Sequence, residues 1–132
     1  MKSILVYRRF SDLDPLGHVN NVVFYDYLQE ARLGLIEDTN LVFGHGFAQL
    51  VVEQQVRYVQ PLAYGREPIR IDVWLSSLAR SSYVVDYVIH DDNDTVVATA
   101  VSKLAVVDEH TGRPIRIPEK VLERLSPHLI SD

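Results

Sequence analysis

Cysteine is absent from this chain of 132 residues, and methionine and tryptophan each occur once. Without cysteine there is no disulfide framework, no thiolate nucleophile and no cysteine-ligated zinc site. No apolar run approaches the roughly 18 residues that a membrane-spanning helix requires. The G-x-S-x-G elbow, the P-loop, G-x-G-x-x-G and H-E-x-x-H are missing as well. We therefore expect no metal site and no membrane partner.

The charge balance is acidic, with 18 Asp and Glu residues against 13 Lys and Arg residues. A general nucleic-acid surface needs a basic stripe, so we expect no nucleic-acid partner. The N-terminal segment Met1–Arg9 lacks the apolar core of a signal peptide, which predicts a cytoplasmic protein. No repeat or linker divides the chain, so residues 1–132 are predicted to form a single domain.

One stretch has helical periodicity, from about Val22 to Glu37. Its apolar residues recur at about 100° per residue, the spacing that places them on one helix face. They are Phe24, Tyr27, Leu28, Ala31 and Leu35. The acidic residues Asp26, Glu30 and Glu37 fall on the opposite side. Asn40 and the glycine-rich residues 44–46 are predicted to end the helix and to form a loop.

The remaining segments alternate between apolar and polar residues, as strands do. The predicted strands are residues 2–10, 52–58, 69–76, 83–90 and 96–107. Short connections favour hairpins and hence an antiparallel meander. A short terminal helix is predicted at residues 118–125, with proline near its first turn. One long helix and about five antiparallel strands indicate an α+β layer in which the sheet curls around the helix.

The sheet face turned away from the helix is predicted to keep apolar side chains among its polar ones. They are Trp74, Val84, Val88, Val97 and Val101. A monomer rarely exposes so much apolar surface, so the pattern predicts a homo-oligomer.

The most informative segment lies directly before the helix and reads Asp12-Leu-Asp14-Pro-Leu-Gly17-His18-Val-Asn20-Asn21. Asp14 precedes a proline, which holds it extended, and Gly17 permits a turn. Asn20 is the best N-cap candidate for the helix. A carboxylate beside a helix N-terminus can act as a base or nucleophile, because the helix end supplies N–H donors for a developing oxyanion.

This loop and several further segments match a known family. The helix contributes Tyr25-x-Tyr27-Leu-x-Glu30-Ala-Arg32, and supporting segments are Val56-Arg-Tyr58-Val-Gln-Pro61, Arg80-Ser81-Ser82 and Pro114-x-Arg116-Ile-Pro118. Over nearly its whole length the chain resembles the hotdog-fold acyl-CoA thioesterases of the 4-hydroxybenzoyl-CoA thioesterase type. The resemblance implies a hotdog fold, in which an antiparallel sheet of about five strands wraps one long central helix.

The resemblance also implies catalytic residues. Asp14 stands at the position of the family's catalytic carboxylate, as general base or nucleophile. Asn20 and Asn21 stand where backbone N–H groups hold the thioester carbonyl, and His18 is a candidate for orienting a water or the acyl group. Glu30 is an alternative catalytic residue, because a related subgroup carries its catalytic glutamate on the helix.

Substrate-binding residues are implied in the same way. They are Gly17 in the loop and the hairpin Arg80-Ser81-Ser82, which the resemblance places near the pantetheine or the phosphates of the substrate. The implied activity is hydrolysis of an acyl- or aryl-CoA thioester to a carboxylic acid and free CoA. The CoA thioester is the substrate, and no cofactor is expected.

Two other functions remain open at this point. The acyl group could arrive on an acyl carrier protein instead of CoA, or the domain could bind acyl-CoA without turning it over. The resemblance places the acyl-CoA across a subunit interface, with a dimer and a tetramer both open.

Overall fold

The computed structural model describes residues 1–37, 39 and 46–130 and contains a five-stranded antiparallel sheet. The strands are β1 (Lys2–Val6), β2 (Phe47–Tyr58), β3 (Ile69–Leu78), β4 (Ser82–His90) and β5 (Val96–Asp108). The long helix is α1 (Phe24–Ile36), and the short helix α2 (Glu119–Leu125) follows β5. The expected α+β hotdog architecture is confirmed. No helix within the described ranges is long and apolar enough to cross a membrane.

Helix α1 buries the face that the sequence predicts. Its predicted apolar residues are all buried: Phe24, Tyr27, Leu28, Ala31 and Leu35. Its three predicted polar positions are exposed: Asp26, Glu30 and Glu37. The helix begins at Phe24 rather than at Val22, because residues Asn21–Val23 form a tighter 3-10 turn. The predicted loop at residues 40–45 lies outside the described part of the chain.

The sheet contributes the other half of the core through its alternating residues. On β3 and β4 the inward side chains are fully or almost fully buried: Ile69, Ile71, Val73, Leu75, Tyr83, Val85, Tyr87 and Ile89. Removing so much apolar surface from water is the main favourable term in folding. The predicted alternation on these two strands is confirmed.

The strand order corrects one prediction. The order is β1-β3-β4-β5-β2, so only β3, β4 and β5 form a meander. β2 pairs with β5 instead of with the next strand along the chain. A hairpin needs a connection of a few residues, whereas ten residues that include two prolines and a glycine separate Tyr58 from Ile69. β2 therefore forms one edge of the sheet, and β1 forms the other.

The prediction that Val97 lies on the outer face of the sheet is wrong, because Val97 is fully buried and belongs to the core. The pairing register shifts between Ile89 and His90, whose partners on β5 are Ala98 and Val96. Val97 is the extra residue of this bulge, and the bulge turns its side chain inward. The other four predicted outer-face residues are partly exposed: Trp74, Val84, Val88 and Val101.

The predicted strand limits are wrong at two places. β1 ends at Val6 rather than at residue 10, because residues Phe10–Asp12 form a 3-10 turn. β2 begins at Phe47, five residues before its predicted start. The terminal helix is confirmed, with Pro118 as its N-cap residue.

Candidate active site

Asp14 is the first residue of a tight turn, and the hydrogen bonds of this turn all form within residues 14–18. Its backbone N–H donates to the carbonyl of His18 at 2.7 Å, and the N–H of Gly17 donates to the carbonyl of Asp14 at 3.1 Å. One carboxylate oxygen, Oδ1, accepts from the N–H groups of Leu16 and His18 at 2.9 and 3.0 Å. The other oxygen, Oδ2, accepts no hydrogen bond from any described residue. The turn fixes the carboxylate and leaves one oxygen available.

The same turn occurs a second time in the chain, at Asp91. There Oδ1 accepts from the N–H groups of Asn93 and Thr95, both at 2.9 Å, and the N–H of Asp91 donates to the carbonyl of Thr95. The fourth residue has a positive φ in both turns, +78° at Gly17 and +65° at Asp94. The Asp14 turn is therefore ordinary local structure. What distinguishes Asp14 from Asp91 is its surroundings.

Glycine favours this geometry at position 17, because most side chains at positive φ strain the backbone, and aspartate, as at Asp94, is one of the few that tolerate it. Nothing lies within 4 Å of where its Cβ would stand, so the strain in Gly17→Ala comes from the backbone alone. We expect the variant to lose about 1–2 kcal/mol of unfolding free energy, measured by urea denaturation. An unchanged stability would contradict the turn described above. The KM of the same variant tests the substrate-binding role that the resemblance gives to Gly17.

Two neighbouring segments hold the loop against the body of the protein. Val19 donates its N–H to the carbonyl of Leu62 at 2.7 Å, and His18 forms a bridge with Ala63. On the other side, the N–H of Asn20 donates to the carbonyl of Asp12 at 2.8 Å. The loop is thus paired on both sides.

Asp12 anchors the loop to helix α1 and is itself almost completely buried. Its Oδ2 accepts from the hydroxyl of Tyr27 at 2.6 Å and from the N–H of Arg9 at 3.0 Å, and its Oδ1 accepts from the Arg9 guanidinium at 2.9 Å. Burial raises the pKa of Asp12, but the hydrogen bonds from Tyr27 and Arg9 outweigh it, so the pKa lies below its ordinary value. Burial raises the pKa of the Tyr27 phenol, and the hydrogen bond to the Asp12 carboxylate raises it further.

Asn20 caps the start of the helical segment, as predicted from the sequence. Its side-chain oxygen accepts from the N–H of Val22 at 3.0 Å. The next residue, Asn21, makes no hydrogen bond through its own N–H with any described residue. Its carbonyl accepts from the hydroxyl of Tyr58 at 2.6 Å, which ties the helix start to the end of β2. The free N–H of Asn21 is a donor available to a ligand.

A cavity of about 290 Å³ brings the predicted residues together. Asp14, His18 and Asn21 line it, whereas Asn20 does not. The remaining lining residues are Val19, Phe24, Tyr58, Val59, Gln60, Pro61 and Leu62. Among the described residues, no group of three or more His, Asp or Glu side chains is placed to hold a metal ion. The cavity is thus lined by a residue that carries a carboxylate and by a residue whose N–H group lies at a helix start.

Tyr58 is the part of this cavity that sequence reasoning did not assign. Its hydroxyl donates a hydrogen bond to the Asn21 carbonyl. Its ring also packs edge-on against Phe24, with ring centroids 5.1 Å apart. This hydrogen bond joins residues 58 and 21, which are far apart in the sequence, so no local sequence pattern predicts it.

Two other predicted sites lie elsewhere in this chain. Glu30 is exposed and lines two grooves beside α1, and Asp14 lines neither of them. The hairpin at residues 80–82 stands at the opposite end of β5. Ser82 pairs with Ala105 while Tyr58 pairs with Ala98, which separates the two regions by about 23 Å along the strand. Arg80 lines a separate groove against α2.

Comparison with known proteins identifies the family of this chain. A family model described as thioesterase-like superfamily matches residues 8–125. The uncharacterized protein YsmA of Bacillus subtilis strain 168 is 28% identical over 119 residues, which make up 89% of this chain and 80% of that protein.

Solved structures agree with the family model. A thioesterase from Thermus thermophilus, complexed with coenzyme A and Zn, is 31% identical with a TM-score of 0.76, covering 95% of this chain and 92% of that chain. The PA5185 protein of Pseudomonas aeruginosa strain PAO1 has the same fold, with a TM-score of 0.89, 24% identity and coverage of 98% and 92%. The fold, the loop before the helix and the family match agree, and the chain belongs to the thioesterase-like superfamily.

Proposed function

We propose that this protein hydrolyses the thioester of an acyl- or aryl-CoA to a carboxylic acid and free CoA. One observation carries the proposal: Asp14, with one free carboxylate oxygen, and Asn21, with an unpaired N–H group, line the same cavity of about 290 Å³. A thioester carbonyl placed there would meet a base or nucleophile on one side and a hydrogen-bond donor on the other.

In the proposed reaction, Oδ2 of Asp14 is the reacting oxygen, because Oδ1 is held by two backbone N–H groups. As a general base, Oδ2 takes a proton from water while the water oxygen attacks the thioester carbon. As a nucleophile, Oδ2 attacks the carbon itself and forms a mixed anhydride that water then cleaves. In both routes the carbonyl oxygen becomes an oxyanion beside the Asn21 N–H, and the C–S bond breaks to release the thiolate.

His18 and the helix start have supporting roles in this proposal. His18 lines the cavity, and in this proposal it orients a water or the acyl group. Asn20 acts through the cap, which fixes the backbone that presents the Asn21 N–H. The partial positive charge at the start of a helix adds to the stabilisation of an oxyanion.

The choice of CoA as carrier rests on the Thermus thermophilus thioesterase, whose structure is described as a complex with coenzyme A. Delivery on an acyl carrier protein and binding without turnover are the alternatives. A cytoplasmic location and the absence of a cofactor stay predictions.

The test is release of free thiol from a panel of acyl- and aryl-CoA esters, with acyl carrier protein esters assayed in parallel. Turnover of CoA esters that requires Asp14 would support the proposal. Turnover of the carrier-protein esters alone would show that the acyl group arrives on an acyl carrier protein instead of on CoA. Saturable binding of CoA esters without thiol release would indicate a binding protein.

We also propose that the protein is a homo-oligomer that uses the free edge of β2. Within the described part of the chain this twelve-residue strand pairs only with β5, and Leu50 and Val52 on it are 52% and 67% exposed. A long edge strand with apolar residues is a template for pairing with another chain.

The double variant Leu50→Lys/Val52→Lys is expected to convert the oligomer into a monomer, because the lysines of two copies would repel each other across the edge. Size-exclusion chromatography with light scattering measures the change. The matched control is Leu5→Lys, since Leu5 is 61% exposed on β1 at the opposite edge. A wild-type monomer, or equal dissociation by both changes, would contradict the use of β2.

A further inference from the structure

Arg32 enters the core from helix α1 and is only 5% exposed. Its Nη1 donates to the side-chain oxygen of Gln54 on β2 at 3.2 Å and to the hydroxyl of Tyr87 on β4 at 3.1 Å. Tyr87 donates to the hydroxyl of Ser102 on β5 at 2.8 Å, and Ser102 donates to the same oxygen of Gln54 at 2.9 Å. These four side chains form a closed ring, called here the Arg32 ring.

The Arg32 ring contains a positive charge and no negative one. Within the described ranges, no carboxylate forms an ion pair with Arg32, although other arginines of the chain have acidic partners. The nearby phenols do not compensate the charge, because burial raises the pKa of both Tyr83 and Tyr87 and keeps them neutral. A buried charge normally has a partner of opposite sign.

The part of the guanidinium that remains unused is the part that binds carboxylates best. Nε and Nη2 make no hydrogen bond with any described residue, and this edge forms a planar fork that matches two carboxylate oxygens. Among described side chains, only the Nε of Arg8 is both sealed from solvent and unpaired. The fork of Arg32 is therefore still reachable, and Arg32 lines a groove of about 420 Å³ between α1 and β2. Glu30 also lines this groove, but it is exposed and forms no ion pair with Arg32 in the described structure.

The groove and the Asp14 cavity share no lining residue, but residues of both α1 and β2 line each of them. Phe24 of α1 meets Tyr58 of β2 at the cavity, and Arg32 meets Gln54 farther along both elements. The two places are about 12 Å apart along the helix and about 14 Å apart along the strand. An extended acyl group whose thioester sits at Asn21 and the long side chain of Arg32 cover this distance between them.

We propose that Arg32 binds a carboxylate at the far end of the acyl group, so that the substrates are ω-carboxyacyl-CoA esters. The proposal rests on the proposed thioesterase function and names its substrate class. Arg32 is a specificity residue that contacts the acyl end and takes no part in the chemical step.

The first experiment compares suberyl-CoA with octanoyl-CoA, two esters of equal chain length that differ in the terminal carboxylate. We expect wild-type kcat/KM to favour suberyl-CoA by at least about tenfold, because an unmet buried charge rejects the methyl-ended ester. Arg32→Gln should remove this preference by lowering kcat/KM for suberyl-CoA alone. Arg32→Lys keeps the positive charge but lacks the planar fork, so its preference for suberyl-CoA should lie between those of wild type and Arg32→Gln. Arg57→Gln, an exposed arginine on the same strand as Gln54, is the matched control.

A purely structural arginine would give a different result. Arg32→Gln would then lower kcat/KM for both esters alike, or wild type would show no preference for suberyl-CoA, and either outcome overturns the proposal. The same result is expected if a carboxylate from a second copy already neutralises Arg32.

The second experiment does not depend on turnover. The Nε–H resonance of Arg32, assigned with Arg32→Lys, is followed by NMR while either ester is added to Asp14→Asn protein. Suberyl-CoA should shift it and octanoyl-CoA should not; equal shifts or none would overturn the proposal. A selective shift, combined with a wild-type protein that hydrolyses neither ester, would keep the carboxylate site and reject the thioesterase function. Hydrolysis of both esters by the wild type with equal kcat/KM would keep the thioesterase function and reject the carboxylate site.

Discussion

Asp14→Asn is expected to lower kcat for thioester hydrolysis by about 10²- to 10⁴-fold, the usual contribution of a positioned general base. The amide keeps an oxygen in place of Oδ1, so it still accepts from the N–H groups of Leu16 and His18. It loses the negative charge of Oδ2, which is what removes a proton from water or attacks the carbonyl. The variant therefore separates chemistry from folding.

Asp91→Asn is the matched control, because Asp91 forms the same turn and likewise accepts from two backbone N–H groups. Both variants should unfold at nearly the wild-type urea concentration, and only Asp14→Asn should lose thiol release. If Asp14→Asn retains full activity, the role of Asp14 in the chemistry is rejected. If both variants lose activity, the turn rather than the cavity carboxylate is what matters.

The helix face and the Asp14 loop could be predicted because their signals are local. The spacing of Phe24, Leu28 and Leu35 needs only the helix period, and the turn at Asp14 needs only Pro15 and Gly17 nearby. The N-cap at Asn20 follows from residue type and position alone. These features lie within a few residues of each other, so the sequence carries them directly.

Sheet order and the ring around Arg32 could not be predicted, because both depend on distant partners. Nothing near β2 indicates that it pairs with β5 across almost half the chain. The hydroxyl of Ser102 and the amide of Gln54 have many local alternatives, and only the folded sheet brings them to Arg32. Val97 fails for the same reason: its inward orientation comes from a bulge defined by pairing with β4.

Asp12→Ala is expected to give the largest loss of stability among the loop variants, about 2–3 kcal/mol at neutral pH. The carboxylate accepts from the buried hydroxyl of Tyr27 and from the backbone and side chain of Arg9. Removing it leaves the Tyr27 hydroxyl without its acceptor in an apolar environment. Chemical denaturation at pH 7 measures the loss.

Tyr27→Phe and Asp26→Asn divide this effect between its sources. Tyr27→Phe removes one hydrogen bond and leaves the carboxylate with Arg9, so a loss of about 1 kcal/mol is expected. Asp26 also approaches Arg9, at 4.0 Å, but its side chain is 63% exposed, so its replacement should change stability little. An effect of Asp26→Asn as large as that of Asp12→Ala would show that Arg9 pairing, and not the buried network, stabilises the loop.

The pH dependence gives the same prediction an independent check. Because the folded-state pKa of Asp12 lies below its ordinary value, the ionised form is favoured in the folded protein. Its stabilising contribution is therefore complete above the unfolded-state pKa of about 4 and is lost as the pH falls through the lower folded-state pKa. The stability gap between wild type and Asp12→Ala should narrow on acidification. A gap that stays constant from pH 7 down to the acid transition would mean that the Asp12 carboxylate is not the group that holds the loop to Tyr27, and the Asp14 turn would need another anchor.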